Sequence, residues 1–206
     1  IAAKHITDNQ VEVCSLISAI QANEFEFYSD FSLNPKLDDA CKGASLYKSF
    51  EPTLMLAVGG GSVIDMAKLS RAIGSQEMDA LNIATGSQTI KERGCTLIAM
   101  PTTAGTGSES THFAVVYVNG EKYSLAHPWI LPEYAIIDPL LTYSLPSDET
   151  AYGGMDALCQ AIESYWSLGS TNVSQILAAE AMGLIWNNIE GAVNQPTEKI
   201  RANMAK

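Results

Sequence analysis

The sequence predicts an α/β domain built on a parallel sheet, followed by an all-helical segment. Three observations carry that expectation. Helix-like and strand-like patterns alternate along the first half, the rhythm of a doubly wound or related α/β sheet. Two loops rich in glycine and hydroxyl residues each follow an apolar strand-like run, and open α/β sheets take their ligands beyond such strand ends. From about Ser147 onward no strand pattern recurs.

Val11 to Ile20 places Val13, Leu16, Ile17 and Ile20 at helical spacing. Glu24 to Phe31 alternates Phe25 and Phe27, which predicts a short strand ahead of the Asn34-Pro35 break. Lys36 to Phe50 reads as a helix, Leu54 to Val58 as a buried parallel strand, and Ser62 to Ile73 as the helix after it. Thr96 to Ala99 is the next strand-like run. Thr111 to Val118 and Lys122 to His127 flank Asn119-Gly120, the signature of a hairpin. Tyr134 to Ile137 is a short strand ended by Asp138-Pro139. Two long helices are expected over Asp148 to Ser167 and Asn172 to Ala192, with Tyr165, Trp166 and Trp186 reading as core. The boundary falls at Leu145-Pro146-Ser147, giving an α/β domain over 1–146 and a helical one over 147–206.

Composition narrows the partners. Apolar residues make up 47% and charged ones 17% of the 206, a balance that buries a core. A net charge of −11 argues against nucleic acid and anionic membranes. The four cysteines (Cys14, Cys41, Cys95 and Cys159) show no CxxC spacing, which fits reduced thiols better than a disulfide frame or a structural zinc site. No secretory signal stands at Ile1 and no apolar stretch reaches membrane-spanning length. The cytoplasm is the expected location.

The chemistry concentrates in a few motifs. In AVGGGSVIDMAK (57–68), a strand runs through three glycines into a helix. Free N–H groups and the helix dipole attract phosphate there, and glycine lets a pyrophosphate approach the backbone. The spacing is neither GxGxxG nor a Walker loop. The second loop, Met100 to Glu109, carries Thr102, Thr103, Thr106 and Ser108, whose hydroxyls can bond a phosphate or ribose without adding charge. Without a ligand, the first would be an ordinary glycine turn and the second a polar surface loop.

GGGSVIDMAK, PTTAGTGSE, the run from Lys122-Tyr-Ser through Leu131-Pro to Asp138-Pro, and Gly154-Met-Asp-Ala-Leu158 with Ala161-Ile-Glu163 occur in that order. Together they resemble the iron-containing (group III) alcohol dehydrogenases over most of the chain, from about Asn34 to Trp186. The resemblance implies a Rossmann-like nucleotide-binding α/β domain followed by a helical domain, the dehydroquinate synthase-like architecture. Against that pattern the chain looks truncated at both ends. The first strand–turn–helix unit is absent or partial before Val11, and the helical domain stops at Lys206.

The resemblance also implies roles. Gly60, Gly61 and Ser62 would face the pyrophosphate of NAD(P)H, with Asp65 in the same motif. Thr102, Thr103, Thr106 and Ser108 would border the adenosine and nicotinamide halves, and Lys122 would stand near the cofactor phosphates or ribose. Asp156 matches a metal ligand, while Gln160 stands where the family has a histidine, a neutral amide in place of an imidazole. Divalent iron or zinc at Asp156 is therefore an open expectation, the family's two other histidine ligands lying beyond Lys206. Asp156 and Gln160 are the candidate catalytic residues, one helical turn apart. His112 and His127 read as structural, with His127 a candidate proton relay. Glu163 reads as helix-stabilising.

These implications favour an oxidoreductase passing a hydride between NAD(P)H and a small aldehyde or alcohol. The segments THFAVVYVNGEKYSLAHP and DALCQAIESYWS resemble the phosphonoacetaldehyde reductase branch. The alternatives are a dehydroquinate synthase-like lyase and a non-catalytic nucleotide-binding protein. A homo-oligomer, a dimer in the first instance, is expected.

Overall fold

The computed structural model describes residues 24–206, so the helix expected over Val11 to Ile20 lies outside the described residues. The chain forms two compact units. One takes in the described residues up to Met100 together with Ser108–Ile136; the other comprises Pro101–Gly107 and Ile137–Lys206.

In the first unit, helix α1 (Leu37–Phe50) leads into strand β1 (Leu54–Gly59) and helix α2 (Gly61–Gly74). A one-turn helix, α3 (Ala80–Ala84), follows, with the Asp79 carboxylate capping its first N–H groups. Strand β2 (Thr96–Pro101) and the two-residue strand β5 (Tyr134–Ala135) join β1 in a sheet of order β1-β2-β5. β2 and β5 run parallel, with Ile98 opposite Tyr134 and Ala99 opposite Ala135. Strands β3 (Phe113–Val118) and β4 (Glu121–Ala126) form the antiparallel hairpin. Its turn, Asn119-Gly120, has φ of 51° and 86°, the doubly positive geometry that matches strand twist.

Helix α2 is the centre of this unit. Ile64 and Ala67 pack with Met55, Ala57, Leu97 and Ala99 of the sheet. Met66, Leu69 and Ile73 pack with Ala40 and Ala44 of α1 and with Ala114, Val116 and Leu125 of the hairpin. Covered on both sides, α2 buries every residue from Val63 to Gly74 except Asp65, and Lys68 and Arg71 are fully enclosed.

One expectation fails here. Glu24 to Phe31 forms no strand and has no ladder partner among the described residues. Phe25 and Phe27 are exposed and contact each other edge to face. The Tyr28 hydroxyl donates instead to the Asp39 carbonyl oxygen at 2.7 Å, and burial beside Asp39 and Asp30 pushes its pKa up to about 12.

The second unit is helical. α4 (Ser147–Trp166) and α5 (Asn172–Asn194) pack against each other, burying Thr150, Gly154 and Ala161 of the first and Ala178, Ile185 and Ala192 of the second. A short helix not expected from the sequence, α6 (Glu198–Met204), brings Arg201 inside. Its guanidinium donates to Thr150 Oγ1 at 2.8 Å and to the Leu145 carbonyl oxygen at 3.1 Å. Tyr165, Trp166 and Trp186 are not core: all three are exposed. Gly154, Ala161, Ala178, Ile185 and Ala192 are buried instead, and the aromatic faces are left uncovered among the described residues. No helix of the described residues is long and apolar enough to cross a membrane.

Candidate functional site

The glycine loop lies where an apolar strand passes directly into a buried helix. A Cβ on Gly59 would stand 2.5 Å from Val63 Cγ2, so only glycine lets β1 turn this tightly onto α2. Gly60 is the N-cap residue of α2, and no side chain caps the helix. The Gly60 carbonyl oxygen accepts the Val63 and Ile64 N–H groups at 3.0 and 3.2 Å. Ser62 Oγ accepts the Asn34 N–H at 3.3 Å, tying the loop to the segment before α1. Gly60, Gly61 and Ser62 therefore open an uncapped helix N-terminus, the arrangement that suits a phosphate group.

Asp65 and Ser108 meet inside the protein. The Ser108 hydroxyl donates to Asp65 Oδ1, and Asp65 Oδ2 accepts the Val115 N–H at 2.9 Å. Lys68 completes the cluster. Its Nζ lies 3.2 Å from Ser108 Oγ, donates to the carbonyl oxygens of Thr111 and Phe113 at 2.9 and 2.7 Å, and stands 3.8 Å from Asp65 Oδ1. Burial pushes the Lys68 pKa down to about 8, against the opposing pull of Asp65 and Glu109. This group clasps the segment after the second loop to α2.

Sequence reasoning passed over Lys68 and its neighbour Arg71. Arg71 donates to Glu133 Oε2 at 2.8 Å and to the carbonyl oxygens of Cys95 and Trp129 at 3.1 and 2.7 Å. The signal was present: Asp65, Lys68 and Arg71 recur every three residues along an otherwise apolar helix, a charged stripe that could be internal only if paired.

The second loop divides between the units. Pro101–Gly107 belongs with the helices, whereas Ser108 belongs with the α/β unit. Thr102 is buried, Thr103 partly so, and Thr106 is exposed. Lys122 sits on β4 opposite Tyr117, exposed. His127 caps the turn after β4, its Nδ1 accepting the Trp129 N–H at 3.1 Å, and His112 stacks beside Phe113.

On α4, the Gln160 amide donates to Asp156 Oδ2 at 2.7 Å, and both side chains are exposed. Spacing of one turn puts both on one helix face, and the hydrogen bond joins them there. The pair offers one carboxylate and one neutral amide. No group of three or more His, Cys, Asp or Glu able to hold a metal ion occurs among the described residues. These residues alone do not compose a metal centre, and Asp156 is the one anionic donor they bring to it.

Comparison with known proteins decides the lineage. Residues 4–139 match the model of the iron-containing alcohol dehydrogenases, and residues 150–206 match the C-terminal model of the same family. The chain belongs to the iron-containing alcohol dehydrogenase family. Long-chain-alcohol dehydrogenase 1 of Geobacillus thermodenitrificans is 34% identical over 218 residues, covering 100% of this chain and 55% of that protein. Among solved structures, the sulfoacetaldehyde reductase of Bifidobacterium kashiwanohense in complex with NAD+ superposes with a TM-score of 0.94 at 33% identity. That match covers 99% of this chain and 55% of the reductase. The NADH-dependent butanol dehydrogenase A of Thermotoga maritima superposes with a TM-score of 0.88 at 28% identity, covering 99% of this chain and 52% of its own. The chain thus spans about half the length of these iron-containing alcohol dehydrogenase relatives. The two solved structures share its fold over the matched length.

Proposed function

We propose that the protein is an NAD(P)-dependent oxidoreductase that interconverts a small aldehyde and its alcohol. The observation that carries this reading is the uncapped start of α2 at Gly60-Gly61-Ser62, in a chain whose family members include NAD-bound and NADH-dependent enzymes. A bound nicotinamide would supply hydride to the aldehyde carbon, and a proton taken up at the oxygen would complete the alcohol.

The chain's own residues supply placement. Gly60, Gly61 and Ser62 would hold the pyrophosphate through backbone N–H groups and the helix dipole. Thr102, Thr103 and Thr106 would contact the ribose and nicotinamide ends. Ser108 and Asp65 hold the start of the Ser108–Ile136 segment on α2 through their mutual hydrogen bond. Lys122 is an exposed cation able to meet a cofactor phosphate. Asp156 and Gln160 would face the substrate, the amide orienting the carboxylate at 2.7 Å.

For the substrate we favour a two-carbon aldehyde bearing a tetrahedral anionic group. Phosphonoacetaldehyde has that shape, and the sulfonate of sulfoacetaldehyde, named in the reductase above, is its close analogue. The same reading assigns the whole protein to the cytoplasm as a homo-oligomer, consistent with free thiols at Cys41, Cys95 and Cys159.

The deciding experiment follows NADH and NADPH oxidation by the full-length protein with butyraldehyde, phosphonoacetaldehyde and sulfoacetaldehyde. Faster turnover of the anionic aldehydes supports the substrate class. Turnover of butyraldehyde alone removes it and leaves the oxidoreductase reading in place. Cofactor binding without any turnover removes that reading as well.

A further inference from the structure

Gly105 and Gly153 leave no room for a side chain on each other's account. A Cβ on Gly105 would lie 2.6 Å from the Gly153 carbonyl oxygen, and one on Gly153 would lie 2.8 Å from the Ala104 carbonyl oxygen. Both obstacles are backbone, which cannot rotate aside as the end of a side chain can. The threonine loop and the first half of α4 therefore meet main chain to main chain within one compact unit.

The placement of this contact matters. On one side the loop carries Thr102, Thr103 and Thr106. On the other, α4 carries Asp156 three residues after Gly153 and Gln160 one turn beyond. Glycine is disfavoured inside a helix, yet α4 holds a Gly153-Gly154 pair. The two glycines face different neighbours. A Cβ on Gly154 would meet the flexible ends of Ile189 and Met204, at 2.8 and 3.1 Å.

We propose that Gly105 and Gly153 are positioning residues whose contact sets how far the cofactor-facing hydroxyls of the loop stand from Asp156. The proposal rests on the oxidoreductase reading above. Nonbonded carbon and oxygen atoms settle at about 3.5 Å, so a methyl group here must part the loop and helix by roughly 1 Å. A shift of that size costs about a hundredfold in rate when reacting atoms must approach within ~3.5 Å.

The test compares full-length Gly153→Ala, Gly105→Ala and Gly154→Ala with the parent protein. Thermal unfolding, NADH affinity by fluorescence, kcat, KM and the isotope effect with 4-deuterated NADH are measured for each. Gly153→Ala and Gly105→Ala are expected to lower kcat by about 10- to 100-fold, with NADH affinity unchanged and a larger isotope effect. Gly154→Ala, which crowds only movable side chains, is expected to lower the unfolding temperature and keep the parent kcat. Parent kcat in Gly153→Ala overturns the proposal, as does an equal loss in Gly154→Ala. So does loss of NADH affinity together with kcat, or failure of both loop-contact variants to fold, since the contact would then serve folding or binding. Absence of turnover in the parent protein overturns the oxidoreductase reading instead, before any variant is compared.

Discussion

Lys68 Nζ donates to the Phe113 carbonyl oxygen at 2.7 Å from a position fully closed to water. Phe113 opens β3, so this bond fixes the start of the hairpin on α2 across a sequence separation of 45 residues. Replacing Lys68 by Met would keep the packing and leave the Thr111 and Phe113 carbonyl oxygens without their donor. We expect Lys68→Met to lose about 1–3 kcal/mol of stability at pH 7, read from urea unfolding.

The same lysine makes stability depend on pH in a definite direction. Burial lowers its folded pKa to about 8 from the ordinary 10.5, against the pull of Asp65 and Glu109. Between those values the unfolded chain binds the proton and the folded one does not, so this group makes stability rise with pH across that window. Below pH 8 its contribution is level. Unfolding free energies from pH 7 to 10 should therefore show a positive slope in the parent protein relative to Lys68→Met. Parallel pH profiles would remove this account of Lys68.

Much of the α/β fold was legible because apolar runs ended in glycine or proline, as at Leu54 to Gly59 and at Tyr134 before Asp138-Pro139. The hairpin was legible for a sharper reason, since Asn119 and Gly120 tolerate the positive φ that the turn demands. Glu24 to Phe31 misled because alternation specifies a two-faced extended chain and says nothing about whether another strand lies beside it. The aromatic residues of α4 and α5 misled similarly: apolar spacing marks a face without naming what covers it. At the candidate site, the one-turn spacing of Asp156 and Gln160 was enough to place both side chains on one helix face, but not to foresee their hydrogen bond. The internal pairing of Asp65 with Ser108 was not legible, because residues 43 apart meet only through tertiary packing.

Glu133 is the second anchor of the buried stripe. Its Oε2 accepts from Arg71 at 2.8 Å and from the Leu97 N–H at 2.6 Å, while Oε1 accepts from Arg93 at 3.0 Å. Burial alone would raise this carboxyl, but the Leu97 N–H and the Arg71 guanidinium outweigh it and hold the pKa below 4.5. That stabilisation is complete above the unfolded pKa and fades as pH falls through the lower folded value. Glu133→Gln would set an amide N–H₂ against a guanidinium and leave Arg71 buried without a counter-charge. A loss of about 3–5 kcal/mol at pH 7 is expected, shrinking as both proteins are taken into acid. An undiminished gap at low pH would mean that Glu133 acts through shape and not through charge.

The Asp156–Gln160 pair makes the final prediction, because it separates a weakened metal site from an abandoned one. As the pair stands, the amide of Gln160 donates to the only carboxylate these residues offer, occupying Oδ2 at 2.7 Å. An imidazole at that position would bring a second strong donor to the same helix face one turn away. Gln160→His in the full-length protein is expected to retain at least about tenfold more iron or zinc than the parent after dialysis against a chelator, a shift on the scale of one ligand-tuning change. Metal analysis by mass spectrometry reads this without any assay of turnover. Equal and substantial metal in both proteins would show that Asp156 and the rest of the protein hold the ion without help from position 160. Equal absence would show that the face has lost metal binding altogether, and that Gln160 serves Asp156 as a hydrogen-bond donor alone.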